Sequence, residues 1–168
     1  MTFTFAESLH VDDGVYQLDE YPLAPYVKAR PDWPRFPKRP WNTNGYMATW
    51  AIEGGTLYLT QLHAPGDDPL AQLFPHISGP VPALWFDGIL RAVRGRRRHV
   101  VYSPRALHDD ELYLEVKSGT VTREWLLDLR TVPDQTDDEL RLALPRFLWP
   151  ARLRDRTGGD DDAADGAL

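Results

Sequence analysis

The sequence predicts a mainly β protein: an antiparallel sheet rolled into a partly open barrel or a small sandwich, with two or three short helices. Three observations carry this prediction. Apolar and polar residues alternate at period two over several stretches of strand length. Glycine-bearing turn signals separate those stretches at hairpin spacing. The helix signals are all short, and each is bounded by a cap or a proline.

The first alternating stretches are Thr2–Phe5 and Val15–Leu18, with Asp12-Asp13-Gly14 as the turn before the second; they predict an edge hairpin. Residues 22–29 have room for one helical turn. From Trp41 the pattern is β: Tyr46, Ala48, Trp50 and Ile52 alternate with Met47, Thr49 and Ala51, and Glu53-Gly54-Gly55 turns the chain into Leu57–Leu62. Asp68-Pro69 reads as an N-cap with proline at the first helical position, opening a short helix over 68–74 that Pro75 ends. A long strand is expected over 83–93. It would put Leu84, Phe86, Leu90 and Ala92 on one face and Trp85, Asp87, Ile89 and Arg91 on the other, with a bulge or close backbone approach at Gly88.

Gly95-Arg96-Arg97-Arg98 reads as a turn leading into a strand over His99–Ser103, and His108-Asp109-Asp110-Glu111 as a second turn. Around Ser118-Gly119 a hairpin pairs Leu112, Leu114 and Val116 with Val121, Arg123, Trp125, Leu127 and Leu129. Thr136 and Glu139 form a capping box for a helix over 137–144, each satisfying an orphan backbone donor of the other. Trp50 and Trp125 both have the alternation of core residues.

A chain of 168 residues is enough for one ordinary domain, placed here at 1–154, followed by an acidic tail over 155–168 that has little to bury. The absence of cysteine removes disulfides, thiolate nucleophiles and iron–sulfur ligation. No apolar run approaches the ~20 residues that a membrane helix needs. The first residues show no basic and apolar leader pattern, so a cytoplasmic location is expected and no membrane contact. Arginine outnumbers lysine 16 to 3 and aspartate outnumbers glutamate 18 to 7, a bias that points to a GC-rich bacterial origin.

The net charge of −6 is unevenly spread. Residues 1–27 carry acids and no base, whereas 91–105 carry six arginines and no acid. Arg91, Arg94, Arg96, Arg97 and Arg98 form the strongest cluster, because guanidinium forks suit phosphates and carboxylates. Trp85 on the same expected strand face as Arg91 completes the composition of a nucleotide or single-strand surface. The bland reading of the same residues is a solvated hairpin tip whose partner is the acidic tail or the acidic first 20 residues.

Prolines at 31, 34, 37 and 40 keep a period of three, the repeat of a polyproline II helix, so 30–41 is expected to be extended. On that helix Trp33 and Phe36 share one face, which is either a docking surface of the PxxP kind or a pair of aromatics pinned to the domain's own core. A metal site would draw on His63, Asp67, Asp68 and His76, acid–base chemistry on His108 with Asp109, Asp110 and Glu111, and a hydrolase on His63, His76 or Asp87, but no spacing matches a tight motif, and no cofactor or metal is expected. Ala51–Leu59 also aligns with Ala106–Leu114 at an offset of 55, which would make two similar hairpins.

Asn44-Gly45-Tyr46, Trp50, Leu57-Tyr58-Leu59, Leu73-Phe74-Pro75, Trp85-Phe86, Gly88, Leu90 and Arg91 together resemble the pattern of a group of small uncharacterised β-rich bacterial proteins. The shared residues are hydrophobic and aromatic, so the resemblance implies a common framework and carries no activity with it.

The expected function is a non-enzymatic protein-binding module: an adaptor, an immunity-like protein or a complex subunit. It would work through the arginine hairpin and the Pro/Trp segment, with another protein or a second copy as partner. The alternatives are a nucleic-acid or nucleotide binder centred on Arg91–Arg98, and a small hydrolase with a His/Asp site in a barrel mouth.

Overall fold

The computed structural model of the chain describes residues 6–12, 14–32, 36–40, 42–98, 106–149 and 151–154. The expectations for Thr2–Phe5, Trp33, Trp41, the strand over His99–Ser103 and the acidic tail lie outside the described residues. Eight strands run in order: β1 (Glu7–Val11), β2 (Gly14–Leu18), β3 (Met47–Glu53), β4 (Thr56–His63), β5 (Val81–Pro82), β6 (Gly88–Arg98), β7 (Leu107–Lys117) and β8 (Thr120–Asp128). Three short helices, α1 (Ala24–Lys28), α2 (Pro69–Leu73) and α3 (Asp137–Ala143), fall at the expected places, and a last helical turn spans Ala151–Arg154.

The sheet order is β3-β1-β2-β6-β7-β8-β4, with β4 pairing back onto β3, so seven strands close a barrel and β5 adds to the side of β4. The barrel is mixed, because β1 lies parallel to β3 in the register Ser8↔Thr49 and Leu9↔Trp50. The β1–β2 hairpin is therefore not an edge. It inserts between β3 and β6 and completes the wall.

Period-two alternation explains the core. Leu9, Tyr16, Leu18, Ala48, Trp50, Leu57, Leu59, Leu90, Ala92, Leu112, Leu114 and Val116 point inward and are buried together. Both helix caps form as their chemistry requires. The Asp68 carboxylate accepts from the Ala71 N–H at 3.1 Å, and Thr136 and Glu139 close a full capping box.

Four expectations need correction. The strand over 83–93 is interrupted: Ala83–Phe86 is a turn closed by the Phe86 N–H on the Ala83 carbonyl at 2.9 Å, and β6 begins only at Gly88. Residues 95–98 and 108–111 are not turns. They extend β6 and β7, which pair from Gly88↔Val116 to Arg98↔Leu107 across a bulge between Arg94 and Arg97. The repeat fails, since Ala51–Leu59 is the β3–β4 hairpin whereas Leu107–Leu114 is one uninterrupted strand. Finally, Trp125 is 45% exposed, unlike the fully buried Trp50.

Gly95 sits at the β6 bulge with φ +87°, where an added Cβ would stand 2.7 Å from the Asp109 Cβ, so only glycine fits. The proline-rich segment is anchored from its far end. Phe36 is buried edge-on against Tyr46, with ring centroids 6.0 Å apart, so for Phe36 the pinned reading of the segment holds.

One polar group is built into the wall of the core. Glu7 is buried, its Oε2 accepts from the Trp50 indole N–H at 2.8 Å, and its Oε1 has no partner among the described residues. Burial pushes its carboxyl up to about 7, against the opposing hydrogen bonds from Trp50 and the Ala48 backbone. The sign follows from linkage. A carboxyl raised above its ordinary 4.5 stabilises the fold fully below that value, and the contribution is lost as the pH rises to about 7. Wild-type unfolding free energy is expected to fall by on the order of 3 kcal/mol across that window. Glu7→Gln, which keeps an oxygen for Trp50, should remove the decline. Urea melts at a series of pH values measure it, and an unchanged pH slope in the variant would show that Glu7 is not the titrating group.

Candidate protein-binding surface

The arginine cluster is the first place to look, and the structure gives most of it partners. On β6 the Arg91 guanidinium meets Glu111 of β7 as a fork, Nε to Oε2 at 2.8 Å and Nη2 to Oε1 at 2.6 Å. Nη2 also donates to the Ala106 carbonyl at 2.7 Å, and Nη1 donates to Asp19. The Arg91 backbone joins in, its N–H donating to Glu20 at 2.8 Å and its carbonyl accepting from the Asp19 N–H at 3.2 Å. Glu111 accepts in addition from the His108 N–H at 2.8 Å and the Tyr113 hydroxyl at 3.0 Å.

Arg91 and Glu111 are buried, and their ionisation is set by this network. Burial disfavours both charges, yet the hydrogen bonds outweigh it: Glu111 is held below its usual carboxylate range, and Arg91 is driven higher than a free guanidinium.

The neighbouring arginines repeat the pattern. Arg94 donates from Nε and Nη2 to Asp110 at 2.9 and 2.7 Å, and its guanidinium lies 4.5 Å over the Tyr16 ring. Arg96 reaches Asp134 at 2.8 Å, while its backbone N–H donates to Asp109 at 2.7 Å and holds that carboxyl low. Arg98 bridges Asp109 and Asp134, at 3.1 Å each. Arg97 alone of the five is exposed with no ion pair among the described residues.

Trp85 does not share a face with Arg91. It stands in the Ala83–Phe86 turn, stacks on Phe74 at 5.5 Å, meets Tyr26 tilted at 4.6 Å, and its indole donates to the Pro22 carbonyl at 2.9 Å. The expected arginine-plus-tryptophan surface is therefore split between an ion-pair lattice and an aromatic stack. Phe36 belongs to the core, and Trp33 lies outside the described residues. His63 ends β4, His76 follows α2, and the Asp87 carboxylate accepts from the Ser118 N–H at 2.7 Å, a turn contact. Among the described residues no group of three or more metal-ligating side chains comes together.

Sequence reasoning missed a second feature, at β8. This strand pairs with β7 along its length, from Lys117↔Thr120 to Asp110↔Asp128. On its other side it meets β4 only at Thr56↔Thr120, where the Val121 N–H donates to the Gly55 carbonyl at 2.8 Å. The reason is stagger. Moving along β8 from Thr120 corresponds to moving backward along β4 past its first residue, into the Gly54-Gly55 turn. From Thr122 onward β8 has run off the end of its neighbour.

Backbone parity shows what the free side presents. The Leu129 N–H donates to the Asp109 carbonyl at 2.8 Å. Counting back by two, Leu127, Trp125 and Arg123 bond toward β7, so the N–H and C=O groups of Glu124 and Leu126 point away from the sheet. Trp125, Leu126 and Leu127 are 45%, 56% and 42% exposed, on both faces of the strand. Beside this edge opens a cleft of about 640 Å³, with Val11, Tyr16, Ile52, Leu112 and Leu126 on its apolar lining and Asp12, Arg123 and Glu124 at its rim. Arg123 is engaged within its own strand pair, 3.7 Å from Glu115 and 5.4 Å over the Trp125 ring.

No family model matches the chain, and neither a curated protein nor a solved structure is found to be similar to it.

The buried Arg91–Glu111 pair generates a test of the lattice. Removing one partner of such a pair strands the other charge and costs about 3–5 kcal/mol, whereas replacing both by apolar groups of similar size is far milder. Arg91→Met is therefore expected to lose stability in that range, and Arg91→Met with Glu111→Leu to regain most of it. Urea denaturation of the three proteins reads this directly. Equal losses in the single and double variants would mean that the pair does not act as a unit.

Proposed function

We propose that the protein is a protein-binding module that takes up an extended segment of a partner along the free edge of β8. The single observation that supports this most is the combination at that edge: outward backbone groups at Glu124 and Leu126 beside three exposed apolar side chains. Soluble proteins blunt exposed edges with charge, proline, bulges or cover, because an unpaired edge templates the addition of another strand. Here three exposed apolar side chains, Trp125, Leu126 and Leu127, stand between Glu124 and Asp128 on an edge that opens onto a cleft. That is the layout of strand addition, in which main-chain hydrogen bonds supply affinity and alternate side-chain pockets supply specificity.

Charge selects the partner. The side of β8 that faces the cleft carries Glu124 and Leu126 in alternation, and Asp12 stands across from them. An added strand whose cleft-facing side chains, every second residue, are basic and apolar in turn would place its apolar side chains over Val11, Ile52 and Leu126 and its cations toward Glu124 and Asp12. The arginine lattice weighs against the nucleic-acid reading, since Arg91, Arg94, Arg96 and Arg98 already face carboxylates.

The test is peptide binding by fluorescence anisotropy, with a labelled eight-residue peptide that repeats Lys-Thr-Val-Thr, so that lysine and valine take turns along one face. Wild type should bind it saturably. Leu126→Pro removes an outward donor without touching the β7 ladder and should weaken binding about tenfold or more with little change in melting temperature. Glu124→Lys should weaken it comparably and reverse its salt dependence. Equal affinity in wild type and Leu126→Pro would place the peptide elsewhere and end the proposal.

A further inference from the structure

A second cavity, of about 430 Å³, lies at α1 and the proline-rich segment, away from β8. Its apolar wall is made by Val27, Phe36 and Tyr46, and its rim carries Lys28, Arg30 and Lys38. The wall is built into the fold. Phe36 and Tyr46 are buried against each other, and Gly45 (φ +76°) packs so close that an added Cβ would stand 2.6 Å from the Phe36 Cβ. The Asn42 side chain accepts from the Gly45 N–H at 2.9 Å, and Arg39 and Asn42 close a backbone bridge. One rim cation is also positioned: the Arg30 guanidinium lies 4.6 Å over Tyr26, which itself stacks on Phe74 and packs tilted against Trp85.

The charge balance of this cavity is unlike that of the rest of the molecule. Arg91, Arg94, Arg96, Arg98, Arg123, Arg130 and Arg141 each reach a carboxylate. Among the described residues, Lys28, Arg30 and Lys38 reach none, and no carboxylate side chain lines the cavity. In a chain of net charge −6, three cations around an apolar hollow, with no carboxylate partner among the described residues, make a local excess of positive charge. The volume falls in the range of small-molecule sites, where apolar walls hold the body of a ligand and a few polar groups orient it.

We propose that this cavity binds a small flat aromatic acid, with the ring against Val27, Phe36 and Tyr46 and the carboxylate held between Lys28, Arg30 and Lys38. The proposal is independent of the β8 edge, and either can fail alone. Aromatic contact accounts for the ring, because two buried aromatic side chains form the wall. The carboxylate follows from the three cations at one rim, none of which reaches a carboxylate among the described residues and only one of which, Arg30, lies over a ring.

The probe is 2-naphthoate, titrated into the full chain by calorimetry at low ionic strength, with 2-naphthalenemethanol and inorganic phosphate as comparators. Saturable one-to-one binding of the acid is expected, about tenfold or more tighter than the neutral alcohol. Lys28 and Lys38 are exposed, so Lys28→Glu with Lys38→Glu should keep the wild-type melting temperature and weaken the acid about tenfold or more. Phosphate should not displace the acid at matched concentration. Absence of saturation by about 10 mM overturns the site. Equal affinity for the alcohol overturns the role of the cations, and full displacement by phosphate overturns the role of the aromatic wall. Retained affinity in the folded double variant overturns the assignment of the rim.

Discussion

The ion pair between Arg91 and Glu111 is the constraint around which the described structure is organised. A guanidinium buried in the barrel wall is tolerable only where its donors are answered, and Arg91 meets Glu111, Asp19 and the Ala106 carbonyl at once. Those partners come from three parts of the chain. Asp19 and Glu20 follow β2, Glu111 lies within β7, and Ala106 precedes β7. One side chain therefore sets where the β1–β2 hairpin meets β6, and it fixes the register of β6 on β7. The pairing beyond it follows suit: Arg94 faces Asp110, and Asp109 takes the Arg96 backbone and the Arg98 guanidinium. The two most polar stretches of the sequence become one ladder because their charges are opposite and in step.

A second geometric fact, the stagger between β4 and β8, shapes the opposite side of the barrel. The barrel closes where Thr56 meets Thr120, and β5 takes up β4 again at Tyr58 and Leu59. The side of β4 that could have continued toward β8 is thus occupied by a short strand, while β8 extends past the hairpin turn. Closure of the barrel and exposure of β8 are two results of the same offset.

Much of the fold was legible in the sequence. Gly54-Gly55 and Ser118-Gly119 mark the two hairpins because each turn is local chemistry, and Asp68 and Thr136 mark helix starts for the same reason. What was not legible depends on partners distant in sequence. Gly95–Arg98 and His108–Glu111 read as turns because polarity alone suggests solvent, and only the register of β6 on β7 shows that each stretch neutralises the other. The parallel pairing of β1 with β3 has no local signature. Trp125 has the alternation of a core residue, but alternation says only that a strand has two faces. It does not say that anything covers them. The candidate edge on β8 escaped for that reason: it is defined by where β4 begins.

The two sides of β7 differ in a way that matters for recognition. Toward β6 it is bound by an ion-pair lattice whose central members are buried; toward β8 it carries a strand with nothing beyond it from Thr122 to Asp128 among the described residues. An incoming strand loses least when the edge it joins is already ordered, since the cost of arranging that edge has been met during folding. The lattice supplies this order. It ties β7 to β6 along much of the stretch that pairs with the unsupported part of β8, where Glu124 and Leu126 present their backbone groups. Under the proposed strand addition, the arginines would act without touching the partner, by anchoring the strand that carries the candidate edge. The same residues that look in sequence like a binding patch would then act one strand away from the surface they serve.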